Sequence, residues 1–209
     1  MSLKCLAAAV VLLAAALSVL PPAPAAATEL DSIYVKVRIS PQQMAKWLRS
    51  PMRHMHEFDD WKEMTEEWDE SWPEHYYTWD YETMWDMVKD RVRQGKGKTS
   101  LWGSPPYIHY DVKEQTFTFA QLMYGENYFD FMLDISAYRT LAEYKDTDGP
   151  DFLVIYPFLW EPGCTDAVIM EIGRGYTKFH TEKTAPPEFA EFIQTANGFF
   201  DAQLEKLEE

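Results

Sequence analysis

Cysteine is nearly absent from this 209-residue chain, which has only Cys5 and Cys164. Cys5 lies in an apolar leader, so a processed chain keeps one thiol and has no internal disulfide. An exported domain of this kind must hold by packing alone. Asparagine is as scarce: neither Asn127 nor Asn197 begins an Asn-x-Ser/Thr sequon, so no N-linked glycan is expected. Cations are few, 19 Lys and Arg against 34 Asp and Glu, for a formal charge of −15. Loss of Lys4 with the leader makes this 18 − 34 = −16. Such a charge repels phosphate backbones and anionic lipid surfaces and attracts cations over a Debye length of about 10 Å. Nucleic acid is therefore excluded as a main partner.

Long apolar runs are missing beyond the leader, and no later segment approaches the roughly 20 residues of a membrane span. The C-terminal Glu205-Lys206-Leu207-Glu208-Glu209 is too polar for a lipid-anchor tail. Catalytic signatures are missing too: there is no G-x-S-x-G and no H-E-x-x-H. Gly97-Lys98-Thr99 fits the end of a phosphate-binding loop, but Val92 stands where the earlier glycine is required, and the segment follows a helix pattern. Cys164 is flanked by Glu161 and Asp166, which raise a thiol pKa and oppose nucleophilic use with His109 or His180. No cofactor is expected.

The leader itself reads as an export signal. Lys4 supplies a positive start, residues 6–20 an apolar core, Pro21, Pro22 and Pro24 a helix stop, and Ala25-Ala26-Ala27 small residues for cleavage. Residues 1–27 are expected to be a cleaved secretory signal, and residues 28–209 one soluble periplasmic or secreted domain. About 182 residues suffice for a sizeable core.

Residues 32–39 alternate, with Ile33, Val35, Val37 and Ile39 on one face and Tyr34, Lys36 and Arg38 on the other, as in a half-buried strand. Ser40-Pro41 then opens a helix to about Leu48, with Gln43 placed for a capping box and Met44 and Trp47 facing inward. Residues 57–94 suggest helix in two or three pieces broken at Pro73. Asp80 would cap the last piece, with Tyr81, Met84, Trp85, Val88 and Val92 as its stripe. Residues 115–124 and 128–135 read as a β-hairpin around Gly125-Glu126, and residues 136–144 as a short helix. Residues 152–160, nearly all apolar, read as a central strand that Pro157 bulges or ends; residues 167–172 pair with it across Glu161-Pro162-Gly163. A last helix over about 187–207 carries the stripe Phe189, Phe192, Ile193, Ala196, Phe200 and Leu204, kinked at Asn197-Gly198. The expected fold is α+β: a mainly antiparallel sheet with helices on one side and an acidic, Trp-rich helical insertion.

That insertion is the most distinctive stretch. Residues 57–90 hold thirteen acidic residues against Lys62 and Lys89, interleaved with Trp61, Trp68, Trp72, Trp79 and Trp85. One reading is structural, with tryptophans as anchors and acids as a solvated exterior. The other is a contact surface, aromatic anchors inside an acidic rim, which suits a basic protein partner. On that reading Asp59, Asp60, Trp61, Glu66, Glu67, Trp68, Trp72 and Trp79 form the partner-binding patch, in an inhibitor or immunity-type protein rather than an enzyme. The alternative is a cell-wall or carbohydrate-binding protein, or a hydrolase, using Trp platforms and paired carboxylates. Glu126, Asp130 and Asp134, or Glu161 and Asp166, are candidate carboxylates for it. His54-Met55-His56 offers an H-x-H pair that His75 would have to complete as a metal site; solvated histidines are the expectation, and no metal is assigned.

Overall fold

The computed structural model describes residues 30–60, 81–95, 105–125, 128–159 and 167–208. The leader, most of the Trp-rich segment, His75, Gly97-Lys98-Thr99, Glu126, the Glu161-Pro162-Gly163 turn and Cys164 lie outside them. In chain order the elements are β1 (Asp31–Arg38), α1 (Pro41–Arg49), a 3₁₀ turn (Met55–Glu57), α2 (Met84–Gly95), β2 (Tyr107–Asp111), β3 (Thr116–Gly125), α3 (Tyr128–Arg139), α4 (Leu141–Tyr144), β4 (Asp151–Tyr156), β5 (Val168–Gly173), β6 (Tyr176–His180) and α5 (Glu188–Glu208). The strands form one six-stranded sheet, entirely antiparallel, in the order β2-β3-β1-β4-β5-β6. The fold is α+β, as the patterning predicts. Among the described residues no helix is long and apolar enough to cross a membrane.

β1 and β4 lie at the centre, with Val35 between Phe119 and Leu153. Every residue of β4 is buried, as expected of a strand covered on both faces. It stops at Tyr156, just before Pro157, which cannot donate to a ladder. β5 pairs with β4 as expected.

The sheet has helices on both faces, not on one. On the first face Ile33, Val35, Val37, Phe117, Leu153 and Met170 pack beneath Met44 and Trp47 of α1, Met84, Met87 and Val88 of α2, Ile135 and Tyr138 of α3 and Leu141 of α4. Trp47 is fully buried, and its indole N–H donates to Thr140 Oγ1 at 2.8 Å. On the second face α5 is the one described helix over Tyr34, Ala120, Leu122, Val154, Tyr156 and Ile169. The strand expected to be half-buried therefore buries Tyr34 as well.

Three local expectations change. Residues 128–135 are not the second strand of a hairpin but the start of α3. From Phe131 to Ala142 every residue is buried, so this segment presents no polar stripe, and its chance alternation of Phe, Leu and Ile mimics a strand. α2 begins after Thr83 rather than Asp80: the Asp86 amide donates to Thr83 Oγ1 at 3.3 Å, and the Thr83 amide donates back to Asp86 Oδ2 at 3.2 Å. Its buried stripe is Met84, Met87 and Val88, while Trp85 and Val92 are exposed. Ser40 caps α1 by accepting from the Gln43 amide at 3.4 Å, but its own amide donates to Asp146 Oδ1 at 3.0 Å instead of to Gln43.

α5 docks through the predicted stripe, with Phe199 added against Tyr34 and Tyr107 at ring separations of 5.5 and 4.9 Å. The helix is assigned without a break through Asn197-Gly198, where Asn197 Oδ1 accepts from the Tyr156 hydroxyl at 2.7 Å. A Cβ at Gly198 would meet nothing within 4 Å. Gly198→Ala is therefore expected to raise stability by about 0.4–1 kcal/mol, and Phe200→Ala to lower it by about 3–5 kcal/mol, both read from urea unfolding. A Phe200→Ala cost near zero would contradict the docked position of α5.

Candidate functional site

Of the eight residues expected to meet a partner, Asp59 and Asp60 are described; Trp61, Glu66, Glu67, Trp68, Trp72 and Trp79 lie outside the described residues. The two aspartates have different surroundings. Asp59 is exposed. Asp60 Oδ1 lies 2.8 Å from Arg139 Nη1, whose side chain is only 8% exposed. The same guanidinium lies over the Phe58 ring at 4.0 Å and donates to Thr177 Oγ1 at 2.9 Å. Asp60 thus neutralises a buried cation and holds the 3₁₀ turn to α3 and β6; it belongs to the fold. Trp85, a neighbour of the patch in sequence, is about half exposed on α2.

The other sequence candidates are dispersed. His54 and His56 stack on one another at 5.7 Å despite the helical turn. No group of three metal-ligating side chains occurs among the described residues. Asp134, a candidate catalytic carboxylate, is fully buried in α3 and paired with Arg91 at 2.9 Å. Glu126, Glu161 and Asp166 lie outside the described residues. Glu171, which the sequence did not single out, accepts from the Tyr176 hydroxyl at 2.6 Å and faces His180 Nε2 at 2.8 Å. His180 Nδ1 meets the Thr184 carbonyl at 3.0 Å and so must be the donor there.

The feature that the sequence pattern did not expose is a groove on the second face. Strand register arranges this face in rows. One row, Tyr107–Ala120–Tyr34–Val154–Ile169, runs under α5. Burial, and then the nearby Tyr107, pushes the Tyr34 phenol up to about 12. The next row is His109–Thr118–Lys36–Phe152–Glu171, and beyond it lie Asp111, Thr116 and Arg38. Along the strands flanking β4 the face thus passes from apolar to polar within two residues, while β4 keeps Phe152 next to Val154. Where it turns polar, the first two turns of α5 stand over it as a wall: Glu188, Glu191, Phe192 and Thr195 share one side of the helix at three- and four-residue spacing. Between floor and wall is an open cavity of about 690 Å³.

Its closed end is built by Asp151. The carboxylate accepts from the Arg38 amide at 3.0 Å and from Arg38 Nε at 2.8 Å, and it pairs with Lys145, whose side chain is fully buried. Burial holds the Lys145 ammonium below the usual lysine range, against the opposing pull of Asp151. Arg38 Nη2 also donates to the Pro150 carbonyl at 3.0 Å, and Gly149 beside it has φ +81°, a left-handed conformation suited to glycine.

No protein-family model, no curated protein and no solved structure matches the chain. Its function is therefore argued from the residues alone.

The contrast between the two predicted aspartates is measurable. Asp60→Asn is expected to cost about 1–3 kcal/mol, because a buried guanidinium loses its counter-charge, while Asp59→Asn stays within about 0.5 kcal/mol of the parent. Equal, negligible costs in chemical denaturation would return Asp60 to the free surface.

Proposed function

We propose that this chain is an exported binding protein that engages a cationic partner protein through its acidic surface, in the manner of an inhibitor or immunity protein. The observation that carries this reading is how the described charges are matched. Five cations are paired with carboxylates of the fold: Arg38 and Lys145 with Asp151, Arg53 with Glu57 and Glu143, Arg91 with Asp134, and Arg139 with Asp60. Carboxylates along one stretch have no such partner. On α5 and the loop before it, Glu182, Glu188, Glu191, Asp201 and Glu205 make no ion pair with any described residue, and only Lys183 and Lys206 there carry the opposite charge.

Unmatched charge of one sign produces an outward field that speeds encounter with opposite charge and is screened by salt. Asp59, Glu66 and Glu67 of the Trp-rich segment extend the same negative character, with Trp61, Trp68, Trp72 and Trp79 as aromatic anchors for a partner. The hydrolase reading has less support, because Asp134, one of its candidate carboxylates, is buried and paired with Arg91.

Immobilised protein is expected to retain a basic protein at about 50 mM salt and to release it at about 500 mM, where the Debye length falls below about 5 Å. Charge reversal of Glu188, Glu191, Asp201 and Glu205 together, or of Asp59, Glu66 and Glu67 together, should slow association with the captured protein about tenfold or more. An unchanged on-rate in both sets would overturn the reading.

A further inference from the structure

The groove beside α5 contains two opposite charges that do not meet. Lys36 rises from the floor in the middle of the sheet, directly between Thr118 on β3 and Phe152 on β4. It is half-buried and makes no ion pair or hydrogen bond with any described residue. The neighbouring cation, Arg38, is fixed by Asp151 and the Pro150 carbonyl. On the wall, Glu188 and Glu191 sit three residues apart, on adjacent positions of one helix face, and neither pairs with Lys36.

The chemistry between these poles is graded. Thr118 puts a hydroxyl beside Lys36, and His109 lies one strand further out, so a carboxylate over Lys36 finds a cation and hydrogen-bonding groups in one cross-strand row. Phe152 and Phe192, with ring centroids 5.3 Å apart, supply an apolar contact between floor and wall. Beyond them the two glutamates supply acceptors for an ammonium group. A lone carboxylic acid would leave the glutamates unmatched, and a lone amine would leave Lys36 unmatched. The volume, about 690 Å³, is within the range of small-molecule sites.

We propose that this groove binds a small zwitterion carrying an apolar group, an amino acid or short peptide. Its carboxylate lies against Lys36 and Thr118, its apolar side chain against Phe192, which Phe152 backs from the floor, and its ammonium at Glu188 and Glu191. This site does not depend on the cationic protein partner. Salt-dependent capture tests that reading, and the titration below tests this one.

The probe is glycyl-L-phenylalanine, compared with its N-acetyl form and its C-terminal amide, added to the ¹⁵N-labelled protein and followed by NMR shift perturbation. The dipeptide is expected to bind with a Kd on the order of 0.1–1 mM and to move amides of residues 34–38, 116–120 and 188–195. Each capped form should bind about tenfold or more weakly, since each loses one charge-assisted contact. In Lys36→Met the difference between acid and amide should vanish while the penalty for acetylation persists; in Glu188→Gln/Glu191→Gln the pattern should reverse. Absence of binding up to about 10 mM, equal binding of the dipeptide and both capped forms, or perturbations away from the groove would each overturn the proposal. The capped probes act on the unaltered protein, so the test holds even if a variant folds poorly.

Discussion

The Asp151 carboxylate, at the start of β4, joins the end of β1, 113 positions away, to the segment after α4, six positions before it. It accepts both the amide and Nε of Arg38 and pairs with the buried Lys145. Two cations on one partly buried carboxylate are stable only because each is also held by neutral acceptors, the Pro150 carbonyl for Arg38 and Thr147 Oγ1 for Lys145. The β1–β4 pairing that this clamp terminates is the axis of the sheet. Everything else is laid against it: four helices on one face, and α5 with the groove on the other.

The two faces solve the burial problem differently. The first carries the larger apolar cluster, and α1 to α4 close it largely with aromatic and methionine side chains. The second is apolar only where α5 crosses it; towards the β1–β4 clamp it becomes lysine, threonine, histidine and arginine, and the helix overhangs rather than seals it. One packing arrangement therefore yields both a stable core and an unfilled, charged recess. The same arrangement draws Arg91 and Arg139 inward against Asp134 and Asp60 and leaves Glu188, Glu191, Asp201 and Glu205 of α5 without an ion pair among the described residues.

Where burial is one-sided the sequence was readable. α1 and α5 each bury a single stripe and β1 alternates aliphatic with polar or aromatic residues, so their periods of 3.6 and 2 residues are visible, and the uninterrupted apolar run of β4 correctly indicates a central strand. Legibility failed where burial is complete. α3 is enclosed on all sides, so its helical period has no polar phase, and alternation at Phe129, Phe131, Leu133 and Ile135 reads as a strand. The site was harder still. Lys36 and Arg38 read as the solvent face of a strand, and only the register of β2 and β3 beside β1, with α5 above, turns them into the floor and end of a groove. The engagement of Asp60 was hidden for a related reason: the cation that pairs with it, Arg139, is 79 positions away, and no local pattern announces the pair.

Native-state hydrogen exchange compared between the parent and Asp151→Asn tests most directly whether the clamped β1–β4 pair is the unit on which the structure rests. Amides of Tyr34–Val37 and Leu153–Val154 should exchange only through global unfolding in the parent. In the variant, their opening free energy should fall in step with global stability, by about 3–5 kcal/mol. Exchange of these amides through a local opening easier than that of α5, or the same protection in both proteins, would contradict the account.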